Sequence, residues 1–218
     1  TMAAGRKKAV IFDMDGVLID SEMVYLRSML AFARKRRPEI TESDLLGVVG
    51  RSAKDSWEIV EKAVSNGQTW EELREEYRNS TDVYETTDYR KIFRQEVRPV
   101  LKILQENGYL MAVASSTRLS LVRRVLEENE IIGYFNTVVS GNQFRQSKPD
   151  PEIYHYTAKQ LGVREDECFV IEDSTVGITA AHRAGMTVAA LIDDRFGFDR
   201  SLADYEIETI EGVLEYLL

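Results

Sequence analysis

Cysteine is nearly missing from this chain, with Cys168 alone among 218 residues. One thiol excludes an intrachain disulfide, a cysteine-based zinc cluster and a CxxC redox pair, and it fits a reducing intracellular compartment. Histidine is almost as scarce. His155 and His182 fall on expected helices with no partner at metal-ligand spacing. No apolar run approaches the roughly 18 residues of a membrane span, and TMAAGRKK leads into the first expected strand without a signal-peptide apolar region. The expectation is a soluble, cytoplasmic protein with no membrane partner. Basic residues are outnumbered, 28 against 37, for a formal net charge of -9, which argues against nucleic acid while leaving room for a local cationic pocket. No GxGxxG or GKS/GKT loop occurs, so neither a dinucleotide nor a P-loop nucleotide site is indicated.

What the chain does hold is an ordinary globular composition, 44% hydrophobic and 30% charged. That excludes disorder and allows burial of roughly 70–75% of the unfolded surface. Short apolar, β-branched runs recur at residues 9–13, 110–116, 137–141, 168–174 and 187–194. Between them lie helical patterns at 98–107, 118–129, 151–161 and 175–184, three of which end at a glycine. Strand alternating with helix predicts a parallel α/β sheet, here a Rossmann-like three-layer α/β/α core. The stretch from 20 to 95 breaks that rhythm with MVYLRSMLAFARKR, SAKDSWEIVEKAV and TWEELREEYRNS. It reads as an all-helical insert, a cap domain over 20–95 within a core of 1–19 and 96–218. Its two hinges then flank the C-terminal edge of the sheet, where open α/β folds bind ligands.

The strand ends carry polar groups that apolar strands do not explain. Asp13 and Asp15 lie two apart at the end of the first run, and Gly16 then lets the backbone turn. Taken alone, the pair reads as a strand-end Asp followed by a turn Asp. Ser115, Ser116 and Thr117 bring hydroxyls and amides to the start of the next helix, as an anion site or as a simple cap. Lys148 precedes the stiff Pro149-Asp150-Pro151 and could be an ordinary surface lysine. Glu172 and Asp173 end CFVI, where adjacent buried carboxylates repel unless a cation neutralises them, although Asp173 or Ser174 could merely cap the helix. Jointly, Asp13, Asp15, Glu172 and Asp173 form an all-oxygen set suited to Mg²⁺, with Ser115 and Lys148 as complementary phosphate contacts. Such an assembly is the equipment of phosphoryl transfer: one aspartate as nucleophile, the other to give and take a proton. Cys168 starts a strand with no adjacent base and reads as a small apolar residue.

These residues stand in four ordered segments: FDMDGVLIDSE (12–22), VASS (113–116), SKPDPEIY (147–154) and IEDSTVGITAAHRAG (171–185). In these the sequence closely resembles the haloacid dehalogenase superfamily, in its subfamily of β-phosphoglucomutase-like sugar phosphatases with a helical cap, and the resemblance covers essentially the whole chain. It implies that Asp13 becomes an aspartyl-phosphate, that Asp15 is the general acid and base, and that Ser115, Ser116 and Lys148 hold the phosphoryl group. It also implies Mg²⁺ held by Asp13, Glu172, Asp173 and the Asp15 main-chain carbonyl, a small phosphorylated substrate such as a sugar phosphate, and a monomer.

The resemblance thins in the cap. True β-phosphoglucomutases of the family carry a histidine four residues after a hinge threonine, where this chain has Ser21 and then Tyr25. They also carry a cap-loop arginine where GRSAKDSW places Ala53. Both departures favour water over the sugar as acceptor, hence a phosphatase with the phosphohexomutase as alternative. Glu22, Tyr25, Arg51 and Lys54 are the cap residues expected to meet substrate. A second alternative is a receiver-like phospho-aspartate signalling module, against which stand the large helical insert and the split between DMD and the distant ED pair.

Overall fold

The computed structural model describes residues 5–218. The chain divides into two compact units, one comprising the segments up to Asp20 and from Tyr89 onward, the other Ser21–Asp88. In the first, β1 (Ala9–Phe12) opens the chain. The second holds α1 (Glu22–Arg34), α2 (Glu42–Leu45), α3 (Ala53–Val64), α4 (Trp70–Ser80) and α5 (Val83–Thr86). The first unit then resumes with α6 (Val97–Glu106), β2 (Leu110–Ser115), α7 (Leu119–Glu128), β3 (Thr137–Ser140), α8 (Glu152–Leu161) and β4 (Cys168–Glu172). It ends with α9 (Thr175–Arg183), β5 (Thr187–Leu191), β6 (Tyr205–Ile207) and α10 (Leu214–Leu217).

The six strands run parallel in the order β3-β2-β1-β4-β5-β6. Alternation along each strand sorts the apolar side chains. Ala9 and Ile11 of β1 join Ala112, Ala114, Val170 and Val188 in one cluster with Ile153, Tyr154 and Ala158 of α8 and Ile178 and Ala181 of α9. Val10 and Phe12 point the other way and are also fully buried, so both faces of the sheet are covered, as a parallel sheet requires. Each such Val, Ile or Leu contributes about 1.5–3 kcal/mol relative to exposure. The expected Rossmann-like core is thus the observed one.

The chain winds outward from β1 through β2 to β3, then crosses back to β4 and continues outward through β5 to β6. The reversal falls between β1 and β4, which pair Phe12 with Ile171. Residues just past those two positions therefore emerge side by side at the switch point, the usual ligand crevice of open α/β sheets.

The helical unit has its own small core. Phe32 of α1, Trp57 of α3 and Tyr77 of α4 meet with ring centroids 5.9, 5.4 and 5.1 Å apart. Thr69 and Glu72 form a capping box that starts α4. Among the basic residues at 34–37, Arg34 Nε donates to the Ile40 carbonyl at 2.8 Å, and the Arg36 guanidinium lies 3.7 Å over the Phe32 ring and pairs with Glu76.

Two expectations shift. The second boundary, expected at 95/96, falls at Asp88/Tyr89, because Tyr89 is fully buried and residues 92–94 bond to the first unit. Asp20 N–H donates to the Ile92 carbonyl at 2.8 Å and Arg94 N–H to the Leu18 carbonyl at 2.9 Å. The first boundary falls at Asp20/Ser21, one residue past the expected 19/20. The sixth strand, β6, was not expected, since its three residues form no apolar run. No helix among the described residues is long and apolar enough to cross a membrane.

Candidate active site

Asp13 is the first residue past β1, and its backbone N–H still donates to the Ile171 carbonyl at 3.1 Å, which holds it beside Glu172 at the end of β4. Its side chain is almost wholly buried. Lys148 Nζ reaches under the strand ends to Asp13 Oδ1 at 3.2 Å, Glu172 Oε1 at 2.6 Å and the Ala114 carbonyl of β2 at 3.0 Å. One ammonium thereby ties β1, β2 and β4 together. Tyr154 of α8, fully buried, donates its hydroxyl to the same Glu172 Oε1, and its ring lies 5.1 Å from the lysine nitrogen.

The electrostatics follow from burial. Burial, and next the Glu172 carboxylate, push Asp13 well above the usual carboxylate range, with Asp173 and Asp15 adding to the shift and Lys148 opposing it. Burial alone would drive Lys148 toward neutrality, but Asp13 and Glu172 outweigh it and hold the ammonium above its ordinary value, so it stays charged. Burial and the Glu172 charge likewise raise the Tyr154 phenol, which keeps its proton and remains a donor.

Three carboxylates thus face one ammonium. Asp13, Glu172 and Asp173, all buried, can each offer an oxygen, with those oxygens within 4.8 Å of one another. Glu172 Oε2 is buried and accepts no hydrogen bond among the described residues. Beside it, a Cβ at Gly177 would lie 2.0 Å from that oxygen, so only glycine leaves it room. A crowded, under-neutralised, all-oxygen set fits a small hard divalent cation, and this set could hold one. Asp173 is fixed just before α9, where Ser174 caps by accepting the Gly177 N–H at 3.3 Å.

Asp15 follows on the turn made by Gly16, whose φ of 84° lies in the left-handed region. It accepts the Thr117 hydroxyl at Oδ2, at 2.8 Å. Ser115, at the end of β2, is buried, and its Oγ accepts the Thr117 N–H at 3.1 Å. Ser116 is exposed on the same turn. The first unit therefore gathers Asp13, Glu172, Asp173 and Lys148 into one cluster, with Asp15 and Ser115 joined through Thr117.

The four cap candidates belong to the helical unit. Glu22 opens α1, and the half-buried Tyr25 packs its ring on Tyr84 at 5.0 Å. Arg51 is exposed before α3, and exposed Lys54 pairs with Glu58 at 3.8 Å. Two residues escaped the sequence reading in their roles. Tyr154 stood inside SKPDPEIY without a task, and Thr117 was seen only as part of an anion-binding turn. Neither partner is visible in sequence, since each bond spans separate elements. Burial and nearby Glu165 push the Cys168 thiol up to about 12, in keeping with an inert apolar residue.

The haloacid dehalogenase-like hydrolase family model matches residues 10–191, which include all of these groups. The chain is 29% identical over 185 residues to a phosphorylated carbohydrates phosphatase of Thermotoga maritima, covering 82% of each. It is 30% identical over 182 residues to hexitol phosphatase B of Escherichia coli, covering 82% of this chain and 80% of the relative. A β-phosphoglucomutase structure from Clostridium difficile superposes with a TM-score of 0.72 at 20% identity over 97% of each chain, a likeness of fold. On the family match and the site that falls inside it, the chain belongs to the haloacid dehalogenase-like hydrolases and is an enzyme of the phosphatase class.

Proposed function

We propose that the protein is a Mg²⁺-dependent phosphatase of a small phosphorylated metabolite, a sugar phosphate, working through a phospho-aspartate at Asp13. The observation that carries this is the Asp13 carboxylate held 3.2 Å from the charged Lys148, inside a carboxylate set that fits a divalent cation, with Asp15 two residues on. Asp13, Glu172 and Asp173 would hold Mg²⁺, together with the Asp15 carbonyl that the family resemblance adds, and the ion when bound supplies charge neutralisation for the phosphoryl oxygens. A carboxylate oxygen of Asp13 forms the bond to phosphorus as the ester P–O bond breaks. Its electron pair leaves with the sugar oxygen, which takes a proton from Asp15. Water then attacks the phosphorus, Asp15 accepts its proton, and the Asp13–phosphorus bond breaks to release inorganic phosphate. Lys148, Ser115 and Ser116 are the groups assigned to orient the phosphoryl oxygens.

Sugar phosphate as substrate is supported by the relatives named for phosphorylated carbohydrates and hexitols. The helical unit, with Glu22, Tyr25, Arg51 and Lys54, is assigned to substrate selection. Tyr25 and Ala53 weigh for water over sugar as acceptor.

A phosphorus NMR time course with Mg²⁺ and a mixture of hexose and pentose phosphates, including β-glucose 1-phosphate, tests the reading. Growth of inorganic phosphate that stops with EDTA and is absent in Asp13→Asn is the expected result. Interconversion of sugar phosphates without free phosphate would replace the phosphatase by a mutase, and unchanged turnover in Asp13→Asn would remove the assigned nucleophile.

A further inference from the structure

The Thr117 hydroxyl donates to Asp15 Oδ2 at 2.8 Å across two segments that are far apart in sequence. Its own backbone is held on both sides. The Thr117 N–H donates to Ser115 Oγ at 3.1 Å, and the Thr117 carbonyl accepts the Ser140 hydroxyl at 2.6 Å. Ser115 and Ser140 are register partners at the ends of β2 and β3, both buried, and Ser140 Oγ also accepts the Asn142 N–H at 3.3 Å. At Gly141 a Cβ would come within 3.2 Å of Ser116 Cα, so the two strand-end turns are packed against each other. Thr117 is therefore a donor mounted on a rigid bracket built from two strand ends.

We propose that Thr117 is a positioning residue for Asp15, orienting its carboxyl group for proton transfer to the leaving oxygen. The inference rests on the phosphatase reading above and adds a residue to it. A hydroxyl that donates to Oδ2 favours the acid-form tautomer that carries its proton on the other carboxyl oxygen. When the ester P–O bond breaks, that proton passes to the leaving oxygen, and the O–H electron pair stays on Asp15 as carboxylate. Thr117 keeps its own proton throughout. Its contribution is geometric, and it matters in proportion to how much the leaving group needs a proton.

That proportion is measurable with phenyl, p-nitrophenyl and 2,4-dinitrophenyl phosphate, whose phenols are progressively stronger acids. The quantity to compare is kcat/KM, because it covers steps only through phosphoenzyme formation and omits the later attack of water. General acid catalysis is worth on the order of 10²–10⁴-fold. Thr117→Val is expected to lower kcat/KM for phenyl phosphate about tenfold or more, with the loss shrinking toward about twofold for 2,4-dinitrophenyl phosphate. Thr117→Ser, which keeps the hydroxyl, restores the wild-type pattern, and Thr117→Ala serves as a second hydroxyl-free variant if the valine does not fold. An equal loss on all three esters, no loss on any, or a serine variant that behaves like valine would overturn the positioning role while leaving the phosphatase intact. A wild type that releases no phosphate with Mg²⁺ from these esters or from the hexose and pentose phosphates would overturn the phosphatase reading and this inference with it.

Discussion

Glu172 has two oxygens and two different surroundings. Oε1 takes Lys148 at 2.6 Å and the Tyr154 hydroxyl, while Oε2 is buried against Gly177 with no hydrogen-bond donor among the described residues. A buried carboxylate is tolerated only when it is paired, so the Tyr154 donor is a stability determinant as well as a site feature. Hydrogen bonds to charged groups are worth about 1.5–3 kcal/mol. Tyr154→Phe removes that donor and almost no volume, and urea denaturation without divalent ions should show a loss of that size. A change within about 0.5 kcal/mol, the range of a neutral surface substitution, would mean that the hydroxyl does not support Glu172. At this scale the sequence exposes Asp13, Asp15, Glu172 and Asp173 as polar residues where apolar runs end, and Lys148 by the stiff Pro149-Asp150-Pro151 that follows it. It conceals Tyr154 and Thr117, because their partners arrive only when α8 crosses the sheet and the β2 turn meets the loop after β1.

The N-terminus of α9 is where element-level preferences and the site disagree. Gly177 sits in its first turn, where alanine would be the better helix former by about 1 kcal/mol. Yet the added Cβ would lie 2.0 Å from Glu172 Oε2 and 2.2 Å from its carboxyl carbon. Glu172 could move away only by leaving Lys148 and Tyr154. Gly177→Ala should therefore be less stable than wild type by about 2 kcal/mol or more, the order of a broken buried polar network, and should lose most turnover. A variant that melts at or above the wild-type temperature with full activity would show that propensity wins and that Glu172 has a free alternative position. The regular elements themselves were legible. The sheet strands β1 to β5 and the helices between them lie within three residues of the apolar runs and glycine stops that announce them. What escaped were β6, the single-turn helices α2, α5 and α10, and the return to the α/β unit at Tyr89, all segments too short for periodicity to register.

For the molecule as a whole, the parallel sheet concentrates charge: the switch between β1 and β4 brings Asp13 against Glu172 and Asp173, with Lys148 as counter-charge. The consequence for stability has a definite sign. The folded-state pKa of Asp13 is raised, by burial first and Glu172 next, so the folded protein holds that proton more tightly than the unfolded chain does. As pH rises from the unfolded aspartate value of about 3.9 through the folded value, the unfolded state binds fewer protons, and this group's contribution to stability falls. Asp13→Asn lacks the titration. Without divalent ions, the difference in unfolding free energy between Asp13→Asn and wild type should therefore grow in favour of the variant across that window. Mg²⁺ at neutral pH should then close the gap from the wild-type side, because a ligand at 100 times its Kd stabilises by about 2.7 kcal/mol. For a domain of this size that amounts to roughly 5–11 °C in Tm. Differential scanning fluorimetry of both proteins over pH, with and without Mg²⁺, reads the two effects together. A pH-independent difference combined with equal Mg²⁺ shifts in both proteins would mean that Asp13 is neither strained by its neighbours nor part of the cation site, and that the fold gathers these carboxylates for some other purpose.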